Sequence, residues 1–297
     1  MKRQDVFSSY HPWVTFLYFV LVLFFTMCFL HPVSLVISLV SSLWYSGVLK
    51  GKDKLAGQFK FLLPVAAMAA LCNALFGHKG ATILFRLPTG AVTLESMVFG
   101  LATGTMLAAV MVWFGCYSVV MTSDKFIYLF GKKIPSLSLV LSMTLSFIPR
   151  FRDQCRVVIQ TQESMGRSLR EGKWKQRVRR GVKILSIMIT WSLENAIETA
   201  DSMKCRGYGL PGRSAFSVYR FDSRDKLALA WLALCGGAVL AGWALGGIAW
   251  EYYPTMTMTL AAPAAIMSQL AYLALSLTPV ILQRRENRKW NSFKSNM

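Results

Sequence analysis

Acidic residues are scarce in this chain. Fourteen Asp and Glu stand against thirty-three Lys and Arg, for a formal net charge of +19. Histidine is rarer still, at three: His11, His31 and His78, far apart in sequence. The six cysteines, Cys28, Cys72, Cys116, Cys155, Cys205 and Cys235, contain no Cys-x-x-Cys pair. Together these gaps exclude a zinc signature and a disulfide framework, so no metal and no cofactor are expected. His-Glu-x-x-His and Gly-x-Ser-x-Gly are missing too, which leaves no recognisable hydrolase motif. The nearest stretch to a phosphate loop, "GVLKGKD" at 47–53, has the wrong spacing and no Ser or Thr after Lys52. It is not a nucleotide-binding loop, so any use of ATP needs a partner. The start, "MKRQDVFSSYHPW", carries Asp5. The apolar run after it lacks a small-residue cleavage site, so it is not read as a signal peptide.

What is present is apolar length. Hydrophobic residues make up 54% of 297, charged ones only 16%, and mean hydropathy is +0.43. A helix crosses a bilayer with about 20 apolar residues, and several runs approach that. The expected fold is an all-α integral membrane protein. Spans are expected at about 13–30, 33–49, 61–77, 91–121, 227–250 and 257–282. Pro64 is placed in the first turn of the third, where a missing N–H costs little. The run "IPSLSLVLSMTLSFIP", 134–149, is short and bounded by prolines.

In a soluble protein, an excess of basic residues suggests nucleic acid. Here they lie between apolar runs, and cytoplasmic loops are the simpler reading. With both termini inside and 134–149 not crossing, 31 of the 33 basic residues fall on the cytoplasmic side, leaving Lys79 and Arg86 outside. If 134–149 crossed, the seventeen basic residues of 150–226 would lie on the wrong side. The expectation is therefore six spans plus a re-entrant or interfacial helix at 134–149. The chain divides into a four-span membrane segment at 1–121, a cytoplasmic-side coupling region at 122–226, and a membrane pair with a basic tail at 227–297.

The coupling region holds two helical patterns. In "PRFRDQCRVVIQTQESMGRSLREG", Phe151, Cys155, Val158, Met165 and Leu169 step by three and four, interrupted by Gln162. That is one narrow apolar stripe, with Arg150, Arg152, Arg156, Gln160 and Glu163 on other faces. "KWKQRVRRG", 173–181, reads as a charged connector. The next helix, about 182–205, begins broadly apolar with Val182, Ile184, Leu185, Ile187, Met188, Ile189 and Trp191. It ends polar, with Glu194, Glu198 and Asp201 on one face. Both helices stop at an arginine beside glycine, Arg167 and Arg206. Each arginine suits a helix C-terminus electrostatically, and the acidic row suits a solvated face paired with Lys204. A guanidinium also suits a carboxylate-lined protein pocket, because it makes a bidentate, permanently charged contact.

"LSLVLSMTLSFIPRFRDQCRVVIQTQESMGRS" and "ENAIETADSMKCRGYGLPGR" resemble the transmembrane T component of energy-coupling-factor transporters, the family that includes cobalt-transport permeases. That family carries two long cytoplasmic coupling helices, each ending in a short Ala-Arg-Gly-like motif. The second motif is matched by Cys205-Arg206-Gly207, followed by Tyr208-Gly209, with Cys205 in place of alanine. The first is matched by Gly166-Arg167-Ser168, which keeps only the arginine. The resemblance covers about 134–213 and is silent on cargo. It implies a non-catalytic subunit that binds two ABC-type ATPase subunits through these tips. It also implies a small substrate-binding membrane subunit (an S component) on the membrane face. ATP-driven motion would then drive uptake of a vitamin or transition-metal ion across the cell membrane. Glu194, Glu198, Asp201, Tyr208 and Gly209 would support the coupling helices, and no nucleic acid is implied.

Three other readings compete. A self-contained channel or secondary transporter needs ionisable groups at mid-membrane, and the runs hold only Glu95, near an end, and the polar Asn73. A membrane-embedded enzyme needs a nucleophile or metal set that is not seen. A plain membrane scaffold shares the two tips and is separated only by uptake.

Overall fold

The computed structural model describes residues 6–76, 82–87, 90–131, 134–168, 173–210, 219–246, 250–252, 257–258 and 263–295. The chain forms two compact units, one of 1–125 with 219–297 and one of 126–218. The first and last apolar stretches therefore fold together into one unit.

The larger unit holds α1 (Pro12–Cys28), α2 (Pro32–Lys50), α3 (Lys52–Phe76), α4 (Leu94–Val120), α8 (Ser223–Ala244) and α9 (Pro263–Ser295). Proline at the first position opens both α1 and α2, where it removes an N–H that has no helical partner. His11 and His31 cap those helices, each ring accepting from the backbone N–H two residues on. The core centres on Trp113, Tyr18, Phe19 and Tyr45, all fully buried. Several polar atoms at this centre pair with one another, as a low-dielectric environment favours. The Trp113 indole donates to Ser38 Oγ at 3.0 Å. Thr26 Oγ1 lies 2.9 Å from Ser38 Oγ and 2.9 Å from the Tyr272 hydroxyl. Gly100 and Gly104 of α4 sit so close to Ala66 and Ala70 of α3 that an added Cβ would meet backbone at 2.7–2.9 Å. Small residues of this kind let membrane helices approach closely.

Among the described residues, four helices are long and apolar enough to cross a membrane: α2, α4, α8 and Pro263–Arg285 of α9. Two shorter apolar helices, α1 and Leu62–Asn73 within α3, accompany them. These are the six expected runs, and the molecule is a multi-pass helical membrane protein. Two short antiparallel hairpins add to it: β1 (Ile83–Leu87) with β2 (Gly90–Thr93), and β3 (Trp250–Glu251) with β4 (Thr257–Met258). Glu95, at the start of α4, is buried and accepts a 2.6 Å hydrogen bond from the Thr82 hydroxyl.

Several expected boundaries are corrected. Helix α3 begins at Lys52, so Pro64 lies in its interior and not in its first turn. Helix α9 starts at Pro263 and runs through the basic tail to Ser295. Helix α5 (Ser123–Gly131) starts in the larger unit and ends in the smaller one; α6 (Pro135–Ser164) follows in the smaller unit, and Pro149 stands inside it. The expected separate helix at 134–149 is thus the first half of one continuous helix. A proline inside a helix costs roughly 3 kcal/mol, and favourable residues on both sides keep this one intact. Helix α7 (Trp174–Cys205) begins eight residues earlier than expected. The "connector" is its first two turns, since Lys, Arg and Gln are good helix formers.

Helices α6 and α7 pack through Val158, Ile184 and Met188, all buried, with Phe151, Cys155, Ile159, Ile187 and Trp191 around them. Trp191 stacks on Phe147, ring centroids 5.5 Å apart. The expected α6 stripe is thus present at Phe151, Cys155 and Val158. Gln162 continues it as a buried residue, whereas Met165 is 54% exposed. Leu169 lies outside the described residues.

Candidate coupling site at two helix tips

A helix ends with carbonyls that lack intrahelical partners, and a glycine in the left-handed region lets the chain fold back to meet them. Both long helices of the smaller unit stop this way. At the end of α6, Gly166 has φ +73°. Its N–H donates to the Glu163 carbonyl at 2.9 Å, and the Arg167 N–H donates to the Gln162 carbonyl at 2.9 Å. At the end of α7, Gly207 has φ +78°. Its N–H donates to the Lys204 carbonyl at 2.9 Å, and the Tyr208 N–H donates to the Met203 carbonyl at 3.0 Å. The two hydrogen-bond pairs are the same motif. Gly209 also has positive φ, +97°, which turns the chain away again after the second tip.

Superposing the two motifs pairs Gly166 with Gly207. Arg206 then pairs with Met165, and Arg167 with Tyr208. Arg206 is the residue before the turning glycine, while Arg167 is the residue after it. Matching the arginines by sequence, as Gly166-Arg167-Ser168 against Cys205-Arg206-Gly207, sets the tips two residues out of structural register. The signal was in the sequence: aligning on the glycines instead of the arginines exposes it. Met165 was read there as part of the packing stripe, and its place at the tip was missed.

Arg167, Arg206, Cys205 and Tyr208 are all exposed, and Ser168 is half-buried. The Ser168 carbonyl accepts a hydrogen bond from the Arg180 guanidinium, which ties the chain leaving the α6 tip back to the first turns of α7. Glu194, Glu198 and Asp201 are exposed along α7. Asp201 pairs with Lys204 at 3.7 Å, both well solvated, so this contact is worth about 0–1 kcal/mol. Among the described residues there is no group of three or more His, Cys, Asp or Glu able to hold a metal. What the arrangement offers is two exposed, backbone-rigidified tips, each bearing a guanidinium, on a packed helix pair about 45 Å long by helical rise.

The fold therefore defines a class: a multi-pass helical membrane protein with a separate unit of two long amphipathic helices. Comparison with known proteins agrees. No protein-family model matches the chain, but it is similar to several proteins named energy-coupling factor transporter transmembrane protein EcfT. The Bacillus selenitireducens protein is 32% identical over 118 residues, which cover 39% of this chain and 44% of that protein. The Listeria innocua protein is 26% identical over 57% of this chain and 68% of its own length. The Lacticaseibacillus paracasei protein is 26% identical over 67% of this chain and 77% of its own length. The first of these matches spans less than half of the relative. The likeness to energy-coupling-factor transmembrane proteins read from the tip motifs is borne out by these relatives.

Proposed function

We propose that this chain is the transmembrane coupling subunit of an energy-coupling-factor importer. Two partner ATPases of the ABC type dock on the tips of α6 and α7, and a small substrate-binding membrane subunit packs on the membrane-embedded part. The chain itself hydrolyses nothing. Motion of the ATPases displaces the helix pair, and that displacement reorients the substrate-binding subunit, which delivers a vitamin or transition-metal ion into the cell. Residues 122–226 act as the coupling region on the cytoplasmic side. Both termini are cytoplasmic, and the first half of α6 does not cross the bilayer. That topology is supported by the charge count and by α6 not being among the described helices with an apolar window of spanning length.

The observation that carries the reading is the pair of matching helix stops, each with an exposed arginine, on relatives' company that bears the transporter name. Arg167 and Arg206 are the proposed docking residues. Gly166, Ser168, Cys205 and Gly207 shape their surroundings, and Glu194, Glu198, Asp201, Tyr208 and Gly209 support them. The test is Arg167→Ala with Arg206→Ala, scored by ATPase co-purification and solute uptake at matched expression. Near-complete loss of both is expected. Retention of both ATPases and of uptake would reduce the arginines to helix caps. Uptake by the purified chain alone in liposomes would favour a self-contained transporter instead.

A further inference from the structure

Helix α7 carries more apolar surface than its packing on α6 uses. Ile184, Ile187, Met188 and Trp191 face α6. A second row, Trp174, Val178, Val182, Leu185, Ile189, Leu193 and Ile197, steps by three or four and is exposed, Trp174 to 76%; its members up to Leu193 lie in the stretch without an acidic residue. Residues so spaced share one face of a helix. One residue further along, and about 100° around the helix, runs a second exposed row: Lys175, Arg179 and Lys183. From Lys173 to Leu193 there are six basic residues and no acidic one. Glu194, Glu198 and Asp201 all follow in the other part of the helix. One helix therefore has an apolar and wholly basic first half and a mixed, acid-bearing last third.

We propose that the first half of α7, Trp174–Ile189, lies against the surface of an anionic phospholipid bilayer, its apolar row inserted below the headgroups and Lys175, Arg179 and Lys183 on the phosphates. An apolar row bordered by basic side chains is the signature of a helix in the membrane interface. Anionic headgroups attract such residues, and an aromatic ring such as Trp174 suits the headgroup level. Charge favours lipid over a protein occupant, since protein interface cores are depleted in lysine. The same chain spans a membrane, so that surface is at hand. Arg180 is not counted, because it is committed to the Ser168 carbonyl. The inference does not depend on what docks at the tips.

The test uses the full chain in nanodiscs, with Cys28, Cys72, Cys155 and Cys205 replaced by serine and an environment-sensitive fluorophore on Val178→Cys. Quenching by acrylamide, a neutral quencher that an anionic surface does not repel, is compared between discs of phosphatidylcholine alone and discs that also contain phosphatidylglycerol. Severalfold weaker quenching in the anionic discs is expected, and it should be lost in 1 M salt, where the screening length falls to about 3 Å. A label on Glu194→Cys should quench equally in both. Lys175→Gln, Arg179→Gln and Lys183→Gln together should abolish the lipid dependence at position 178. Equal quenching at 178 in both discs overturns the proposal. So does protection that arises only when a partner subunit is added, which would make this a protein-docking face. The unaltered basic row carries the test by itself if the triple variant fails to fold.

Discussion

The tips of α6 and α7 use the same backbone device and present different side chains. Each ends in a left-handed glycine, Gly166 or Gly207, with the same two reversed hydrogen bonds. In the second tip the guanidinium of Arg206 leaves from the last residue before the glycine. In the first, that place holds Met165, and Arg167 leaves from the residue after it. A common backbone stop thus does not guarantee a common recognition surface. If both tips dock ATPases, they make chemically different contacts, and the α6 tip offers an exposed methionine where the α7 tip offers a charge.

The largest expected effect removes what the two tips share. Val158 is buried between the helices, and Val158→Asp places a carboxylate there without a partner, at a cost of several kcal/mol. The purified chain should lose the α6–α7 packing, read as protease sensitivity within 135–205, and both ATPases should be lost together. Loss of only one would mean that the tips do not rely on a common base. Met165→Asp, on an exposed residue, should leave that packing intact.

Next in size is the arginine comparison itself. Arg206→Ala should weaken ATPase retention by about 2–5 kcal/mol if the contact is desolvated, and Arg206→Lys should rescue poorly because it lacks the planar fork. Arg167→Ala should cost less. The variant Met165→Arg in the Arg167→Ala background moves the charge to the place that Arg206 occupies, and recovery of binding is expected. Equal losses from Arg167→Ala and Arg206→Ala, with no recovery, would mean that the register difference has no consequence.

The glycines should behave nearly alike. A left-handed conformation costs a non-glycine residue roughly 1–2 kcal/mol, so Gly166→Ala and Gly207→Ala should lower thermal stability by similar amounts. Gly207→Ala should be slightly worse, because its Cβ would meet Leu210 Cδ1 at 3.2 Å whereas Gly166 has open space. A neutral Gly166→Ala would mean that the α6 stop relaxes in solution. Smallest of all is Asp201→Asn. It breaks a solvated pair with Lys204 and should change stability by less than about 0.5 kcal/mol.

Much of this was legible from residue type and spacing. Apolar runs are a local property, so the membrane class and the positions of the six apolar helices follow from them directly, although only four of the six reach spanning length in the described residues. Gly166 and Gly207 mark helix ends because left-handed backbone favours glycine. Pro149 misled for the opposite reason: a local penalty was read as a boundary, and α6 runs through it because favourable helix on either side outweighs one missing hydrogen bond. "KWKQRVRRG" misled similarly, since its charge suggested a connector while its helix propensity extends α7.

By itself, the sequence determined a basic, multi-pass helical membrane protein with two amphipathic helices that stop at glycine, because periodicity, charge and backbone preference act over a few neighbouring residues. Tertiary structure alone decided that 1–125 and 219–297 close into one unit. It also decided that α7's apolar residues split into a row against α6, with Met188 2% exposed, and a row left outside. Both depend on contacts between segments distant in the chain, and neither is written in the order of side chains alone.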